Sequence, residues 1–262
     1  MEIWKAAVLG IVQGLTEFLP VSSSGHILLF ERILRVDTAG ADMFLGIMLH
    51  AGTLISVLFV YFSKIAALFR EDRKKLLYLL LATLPAALVG VLLGDLVDRI
   101  FFGGKYLWLF FALTAVLLLL ASRRLRRGYP LRPLDAKRSF LIGGAQALAV
   151  LPGLSRSGTT LAACVFAGME REEAADFSFL MSVPIIGGAV LTEIFKAFMN
   201  ESYVTAVSWQ ALAVGCALSA IFGLVAVKLV LRFMKRGSFV GFSVYLFLLA
   251  AFLFANNWLY IL

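Results

Sequence analysis

The chain alternates long apolar stretches with short polar ones. Five segments contain no Asp, Glu, Lys or Arg: 43–63, 76–94, 106–122, 202–227 and 237–262. A helix rises about 1.5 Å per residue, so roughly 20 residues cross a hydrocarbon core of about 30 Å. We therefore predict an all-α polytopic membrane protein with six transmembrane helices, near 43–63, 76–95, 106–122, 177–197, 208–230 and 238–260.

Two further apolar segments are interrupted and differ from the six spans. Residues 1–36 contain the runs 6–16 and 18–30, and residues 139–170 contain the runs 139–155 and 157–169, with Pro, Gly and Ser at the interruptions. Such runs are short for a full crossing, and irregular backbone at membrane depth is tolerated only inside the protein. We predict that both segments are re-entrant helical hairpins.

Basic residues predict the orientation. Lys64–Lys75 holds five Lys or Arg, Arg123–Arg138 holds seven and Lys228–Arg236 holds four. By the positive-inside rule these three linkers face the cytoplasm, while 95–105, 196–205 and the C-terminal tail face outward. Both termini are then predicted outside, and the two hairpins enter the membrane from opposite faces.

The two hairpins resemble each other in sequence. GIVQGLTEFLPVSSSGH aligns with GGAQALAVLPGLSRSGT, which places Gln13 and Gln146, and likewise Gly25 and Gly158, 133 positions apart. Because three crossings separate the copies, we predict an inverted repeat within one membrane domain, 1–262. Repeat one covers about 1–125 and repeat two about 136–262. The functional site is expected where the broken helices meet, near the membrane midplane.

Composition agrees with a membrane location. Hydrophobic residues make up 61% of the chain and charged residues 15%, whereas soluble domains average about 45–50% and about 25%. The net charge of +8 could indicate nucleic-acid binding, but the basic residues lie in short linkers rather than on one soluble face. We therefore predict membrane lipids, and no nucleic acid, as partners.

One charged residue lies near the turn of each hairpin, Glu17 in the first and Arg156 in the second. A charge at the centre of a membrane helix costs about 2.5 to 3.5 kcal/mol, so the two are expected to pair. Gln13 lies one helical turn before Glu17 and shares its face. A purely structural ion pair is the alternative interpretation. His50, alone within a span, is assigned to helix packing and left out of the site.

Hydroxyl groups and glycines surround both charges. The first turn contains Ser22, Ser23, Ser24, Gly25 and His26, and the second contains Ser155, Ser157, Gly158 and Thr160. Turns at the start of a helix present N–H groups and hydroxyls to an anion, and Arg adds a planar fork of donors that suits phosphate. We predict a phosphate-binding pocket in which Glu17 and His26 transfer protons and Ser23 is a candidate nucleophile. Helix capping is the alternative for His26 and for each serine.

These motifs resemble a known family, and the likeness extends over the whole length. QGLTEFLPVSSSGH is similar to the Glu/Gln-x-x-x-Glu motif and SSxGH turn of the bacterial undecaprenyl pyrophosphate phosphatases, the bacitracin-resistance type, and PGLSRSGTT is similar to their PGxSRSxxT motif. The resemblance implies hydrolysis of undecaprenyl pyrophosphate to undecaprenyl phosphate and inorganic phosphate, which recycles the lipid carrier of peptidoglycan synthesis. It also implies a divalent cation, Mg²⁺ or Ca²⁺, as cofactor.

The same resemblance implies a multi-pass protein of the bacterial cytoplasmic (inner) membrane, with an active site open to the outer face, and suggests a homodimer. The functional residues that it carries over are Gln13, Glu17, Ser23, His26, Ser155, Arg156 and Thr160. Arg156, Ser155 and Thr160 would hold the pyrophosphate, and Glu17 would act as base or metal ligand. In the Glu-x-x-x-Glu form of the motif the first position is an acid, whereas it is Gln13 here. An amide cannot act as a base, so the roles of base and metal ligand would fall on Glu17. Ser23, an activated water and His26 remain alternatives for the nucleophile.

Two other classes share parts of the pattern. A secondary transporter or lipid flippase could have the same inverted-repeat architecture, because fold does not determine function. The concentration of Glu, His, Ser and Arg in two short turns favours an enzyme. Lipid phosphatases of the phosphatidic acid phosphatase type also have an SGH turn and a Ser-Arg pair. They place a His and an Asp downstream, however, and SRSGTTLAACVFAG contains neither.

Overall fold

The computed structural model describes residues 1–36, 42–101, 104–199 and 207–259. These residues form ten α-helices and no β-strand: α1 (Ile3–Phe18), α2 (Ser23–Ile33), α3 (Asp42–Arg70), α4 (Arg73–Phe101), α5 (Leu107–Arg127), α6 (Ala136–Leu148), α7 (Arg156–Phe166), α8 (Arg171–Met199), α9 (Trp209–Arg236) and α10 (Val240–Leu259). The prediction of an all-α protein is confirmed.

Five helices contain segments long and apolar enough to cross a membrane: Leu45–Arg70, Arg73–Gly94, Leu107–Arg127, Arg171–Thr192 and Trp209–Arg236. They coincide with five of the six predicted spans, and the polytopic class is confirmed. The sixth predicted span falls on α10, whose apolar stretch Val240–Asn256 is shorter, and its last residue lies outside the described part of the chain. That crossing stays a prediction. The helices extend past the charge-free segments because Lys and Arg reach the interface while their stems lie along apolar surface.

The first interrupted segment is a helical hairpin. α1 ends before Pro20 because a proline ring disfavours helical backbone at the preceding residue. α2 begins after Ser22, whose hydroxyl accepts a hydrogen bond from the Gly25 N–H at 3.4 Å. The start of α1 and the end of α2 share a cleft lined by Met1 and Arg35, among others. Both ends of the hairpin therefore lie on the same side of the bundle.

The second interrupted segment is built in the same way. α6 ends before Pro152, and α7 begins after Ser155, whose hydroxyl accepts from the Gly158 N–H at 3.1 Å. Between them Gly153 has a φ of 94°, in the left-handed region that favours glycine. Each hairpin thus consists of two short helices joined by a tight turn.

The three basic linkers lie together at one end of the bundle, beside the end of α7 and the start of α8. The contacts that join these regions are Arg126–Ser238, Tyr129–Met169 and Lys64–Asp176. Since the linkers were predicted on one side of the membrane, their common location agrees with that prediction.

Close helix contacts hold both hairpins in place. α1 packs against α9, and α6 packs against α4. Gly10 faces the backbone of Gly215, and Gly143 faces the carbonyl of Ala82, so closely that a Cβ on either glycine would collide. Small residues allow the backbones of membrane helices to approach in this way. The turns of the two hairpins consequently meet inside the bundle.

Candidate active site

The two hairpin turns meet at Glu17. Its Oε1 accepts a hydrogen bond from an Arg156 guanidinium nitrogen at 2.6 Å. Its Oε2 accepts from Ser23 Oγ at 2.6 Å and from Gln13 Nε2 at 2.9 Å. The Glu17 side chain is only 4% exposed. The expected ion pair between the hairpins is therefore present, and it is embedded in a network that also holds a serine hydroxyl.

A cavity of about 190 Å³ lies beside this pair. Its polar lining consists of Glu17, Ser22, Ser23, Ser24, His50, Ser155 and Arg156. Apolar residues of the second turn and of α8 complete the wall: Ala149, Val150, Leu154, Ile185, Ile186 and Ala189. Six of the twelve predicted site residues thus border one cavity, and His50 is the one polar residue of its lining that was not predicted.

Two helices begin at this cavity. Ser22 and Ser155, the N-caps of α2 and α7, both line it. The first N–H groups of a helix lack partners within the helix, and the helix dipole places partial positive charge at this end. Two such ends beside the Arg156 guanidinium make the cavity suitable for a phosphate or a diphosphate.

The backbone of Ser22 is strained, with a φ of 73°. A non-glycine residue in such a conformation costs of order 1–3 kcal/mol and persists only where its surroundings impose it. Here the Ser22 carbonyl accepts from the backbone N–H of His26 at 3.2 Å and from its Nδ1 at 2.7 Å. The turn that precedes Ser23 is therefore fixed by its neighbours.

Five predicted binding residues do not line the cavity: Gln13, Gly25, Ser157, Gly158 and Thr160. Ser157 donates to the carbonyl of Leu19 at 3.0 Å and so links the second turn to the first. Thr160 is fully buried, and its hydroxyl lies 2.6 Å from that of Ser178 on α8. Ser157 and Thr160 connect the hairpins to each other and to their surroundings rather than reaching the cavity.

His26 also lies away from the cavity. It lines a separate, mostly apolar pocket of about 420 Å³ together with Tyr245 of α10. Its Nδ1 faces the Ser22 carbonyl, and its Nε2 lies 2.7 Å from the Tyr245 hydroxyl. Both ring nitrogens of His26 are therefore engaged, and the ring does not line the cavity at Glu17. The structure does not bring His26 together with the other predicted catalytic residues, Glu17, Ser23 and Arg156.

His50, which sequence reasoning assigned to packing, does line the cavity. Its Nε2 lies 3.5 Å from Glu17 Oε2, and its Nδ1 lies 2.7 Å from the carbonyl of Gly46. An ionisable residue inside a membrane span is a candidate functional residue by default, and this general rule is the signal that would have identified it.

Few side chains near Glu17 could coordinate a metal ion. In the described ranges, no three His, Cys, Asp or Glu side chains come close enough to form a metal site. The buried Oε1 of Gln13, next to Glu17, has no hydrogen-bond partner. Mg²⁺ commonly binds through one or two carboxylates and substrate phosphates, and keeps several waters. The residues therefore fit a cation that is held jointly with a phosphate ligand rather than in a closed protein site.

An apolar groove of about 670 Å³ continues from the cavity between α4 and α8. The groove and the cavity share five lining residues: Ala149, Val150, Arg156, Ile185 and Ala189. Small residues widen the rest of the groove, among them Ala86, Ala87, Gly90, Gly94 and Gly188. Gln146, which the repeat aligns with Gln13, also lines it, and its Oε1 has no hydrogen-bond partner. Such a shape suits a ligand with an ionic head and a long apolar chain.

Fold and site define a polytopic membrane protein whose phosphate-sized polar cavity opens onto an apolar groove. The chain belongs to the family of the bacitracin resistance protein BacA, which it matches over residues 6–252. It is 37% identical to an undecaprenyl-diphosphatase of Moorella thermoacetica over 267 residues, 99% of each chain. It is 37% identical to undecaprenyl-diphosphatase 4 of Bacillus cereus (94% of this chain, 93% of the relative) and 34% identical to an undecaprenyl-diphosphatase of Halothermothrix orenii (94% of each).

Proposed function

We propose that this protein is a polyprenyl pyrophosphate phosphatase that hydrolyses undecaprenyl pyrophosphate to undecaprenyl phosphate and inorganic phosphate. The observation that carries the proposal is the continuity of the cavity at Glu17 and Arg156 with the apolar groove. The diphosphate fits the former and the polyprenyl chain the latter. Membership of the BacA family and the names of the relatives support the same substrate. The reaction would recycle the lipid carrier of peptidoglycan synthesis and contribute to bacitracin resistance.

The diphosphate is held by Arg156 and by the free N–H groups at the starts of α2 and α7. A guanidinium keeps its charge at all physiological pH values and matches two phosphate oxygens at once. Donors fixed before the reaction stabilise the charge that develops on the transferred phosphoryl group. Ser155 and Ser24, which line the same cavity, add hydroxyl groups.

Ser23 is the proposed nucleophile, and Glu17 is its base. The Ser23 Oγ already donates to Glu17 Oε2 at 2.6 Å, within reach for proton transfer. As Oγ bonds to the terminal phosphorus, its proton passes to Glu17, the bond to the bridging oxygen breaks, and undecaprenyl phosphate leaves. Glu17 then returns that proton to bulk water and accepts one from the water that attacks the phosphoserine. That second attack breaks the bond between phosphorus and Ser23 Oγ, Glu17 passes its proton to the departing Oγ, and inorganic phosphate is released from the restored serine. Direct attack by a water activated by Glu17 is the alternative.

A divalent cation, Mg²⁺ or Ca²⁺, is part of this proposal. Glu17 would hold it together with oxygens of the diphosphate, and the unpartnered Gln13 carbonyl oxygen is a further candidate ligand. When bound, the cation would neutralise part of the negative charge of the diphosphate.

We place the site toward the outer face of a bacterial cytoplasmic membrane. The groove reaches Gly94 of α4 and Thr192 of α8, far along both helices from the ends where the basic linkers lie. With those linkers in the cytoplasm, the groove opens outward and both termini lie outside.

The inverted repeat, about 1–125 and about 136–262, belongs to the proposal as well. α1 packs against α9, while α6, the repeat equivalent of α1, packs against α4, the equivalent of α9. Ser22 and Ser155, at repeat-equivalent positions, cap their helices with the same type of hydrogen bond. Both relationships support two equivalent halves. The homodimer that the resemblance suggests stays a prediction.

The deciding experiment measures phosphate release from undecaprenyl pyrophosphate by the purified protein in detergent, with Mg²⁺, Ca²⁺ or a chelator. Wild type and the Glu17→Ala and Arg156→Ala variants are compared, each checked for monodispersity and thermal stability. Cation-dependent release that disappears in folded variants is expected. Absence of release from folded wild type across cations and prenyl chain lengths would overturn the proposal. Lipid movement between leaflets that survives Glu17→Ala would instead favour a flippase.

A further inference from the structure

His26 connects two parts of the molecule that no motif of the sequence relates. Its ring lies between the backbone carbonyl of Ser22, the residue with the left-handed φ, and the hydroxyl of Tyr245, 219 positions further along the chain. The ring is also stacked on that of Tyr245, with centroids 5.8 Å apart and planes at 19°. The ring of Phe111 packs against it at a steep angle, with centroids 5.4 Å apart and planes at 62°. The imidazole is therefore held on several sides.

The partners determine which nitrogen of His26 carries the proton. A backbone carbonyl can only accept a hydrogen bond, so Nδ1 must donate to Ser22. In a neutral imidazole Nε2 is then the acceptor, and the Tyr245 hydroxyl donates to it. Tyr245 thus stabilises the one tautomer in which His26 can hold the Ser22 carbonyl.

This contact reaches the active site through the backbone. Ser22 has a left-handed φ, and the residue that follows it is Ser23, whose hydroxyl is bonded to Glu17. A turn in such a conformation relaxes when a group that imposes it is removed. Relaxation would rotate Ser23 away from Glu17, while Arg156 on the other hairpin would keep its place.

We propose that Tyr245 is a positioning residue of the active site, which holds the Ser22–Ser23 turn through the Nδ1–H tautomer of His26. His26 has the same kind of role and transfers no proton to the substrate. The inference rests on the proposed phosphatase function for its kinetic test, but its spectroscopic test is independent of any activity.

The kinetic test begins with Tyr245→Phe, which keeps the stacked ring and removes only the hydroxyl. We expect kcat to fall about tenfold, the scale of one lost hydrogen bond, with KM unchanged because Arg156 and the start of α7, both on the other hairpin, still bind the diphosphate. Tyr129→Phe is the matched control. It also removes a hydroxyl that donates a hydrogen bond, to the carbonyl of Met169 at 2.8 Å, but at the end of the bundle where the basic linkers lie. Its kcat should equal that of wild type.

Two substitutions of His26 separate positioning from chemistry. His26→Asn places an amide N–H where Nδ1 lies, so it can still donate to Ser22, whereas His26→Gln places its amide nearer the position of Nε2. We expect His26→Asn to lose about tenfold in kcat and His26→Gln about a hundredfold, because only the latter removes the side-chain hydrogen bond to the Ser22 carbonyl. Adding Tyr245→Phe to His26→Asn should cost nothing more. Equal and complete loss in both variants would instead make His26 a catalytic group.

The independent test uses ¹⁵N-labelled histidine and NMR of the protein in micelles. The chain contains only two histidines, so a His50→Gln variant assigns both sets of signals. His26 is expected as the Nδ1–H tautomer, and Tyr245→Phe should shift its Nε2 signal while leaving His50 unchanged. An unchanged His26 signal would overturn the inference even if the enzyme is active. Should the protein release no phosphate, the phosphatase proposal fails and the NMR result alone decides this one.

Discussion

The guanidinium of Arg156, at the start of α7, donates to Glu17 Oε1 across the junction of the two hairpins at 2.6 Å. Both side chains are largely buried, with 15% of Arg156 and 4% of Glu17 exposed. One ion pair therefore joins the two hairpins and also lines the cavity proposed for the diphosphate. Its loss should affect folding and chemistry in separable ways.

Arg156→Ala is expected to abolish activity and to destabilise the protein by about 3 kcal/mol or more, since it leaves the Glu17 carboxylate buried and unpaired. Adding Glu17→Gln removes the orphaned charge. The double variant should regain most of the thermal stability yet remain inactive. Melting curves and phosphate release on the three proteins check this, and a stable, active Arg156→Ala single variant would contradict it.

Ser23→Ala should lower kcat by about a hundredfold or more, because it removes the hydroxyl that Glu17 is placed to deprotonate. Substrate affinity should change little, since Arg156 still binds the diphosphate. Ser139→Ala is the control: it also removes a serine hydroxyl that donates a hydrogen bond, in this case to the Asp135 carbonyl at the start of α6. If Ser23→Ala kept more than a tenth of the wild-type kcat, an activated water would become the nucleophile of choice.

The sequence predicts the helices and the break points well because both depend on local chemistry. Prolines follow the ends of α1 and α6, and serine caps mark the starts of α2 and α7. The pairing of Glu17 with Arg156 also follows, since each charge is costly alone in a membrane segment. These features require no knowledge of how the helices are rotated about their axes.

Features that depend on helix rotation could not be predicted. His26 is in the motif, yet the left-handed backbone of Ser22 and the hydroxyl of Tyr245 turn it away from Glu17. Thr160 likewise faces Ser178. His50, in contrast, comes from α3, and its place in the cavity depends on how that helix packs beside the hairpins. A motif shows which residues are near in sequence, but tertiary packing decides which of them share a surface.

The groove offers a test of where the prenyl chain lies. A Cβ at Gly90 would meet no atom within 4 Å, and Gly90 lines the groove, so Gly90→Leu should fill space without straining the fold. We expect kcat/KM for undecaprenyl pyrophosphate to fall about tenfold or more, and that for farnesyl pyrophosphate to change much less.

Gly144→Leu is the matched control for the groove. Gly144 also has open space at its Cβ but lies on α6 outside the groove lining. It should leave both substrates unaffected. If Gly90→Leu lowered the rates of long and short substrates equally, the chain would have to leave the cavity by another route.

Gln13→Glu tests the cation. The substitution replaces an amide that donates to Glu17 with a second carboxylate, and two like charges in contact destabilise a buried site unless a cation lies between them. In a chelator the variant should therefore melt below wild type. Mg²⁺ should raise the melting temperature of the variant more than that of wild type. The variant should also reach half-maximal activity at a lower Mg²⁺ concentration than wild type. Gln146→Glu is the control, because its amide contacts the carbonyl of Ala82 rather than a carboxylate. It should be destabilised without recovering in Mg²⁺. If Mg²⁺ did not change the melting temperature of Gln13→Glu, the proposal that Glu17 holds the cation would be contradicted.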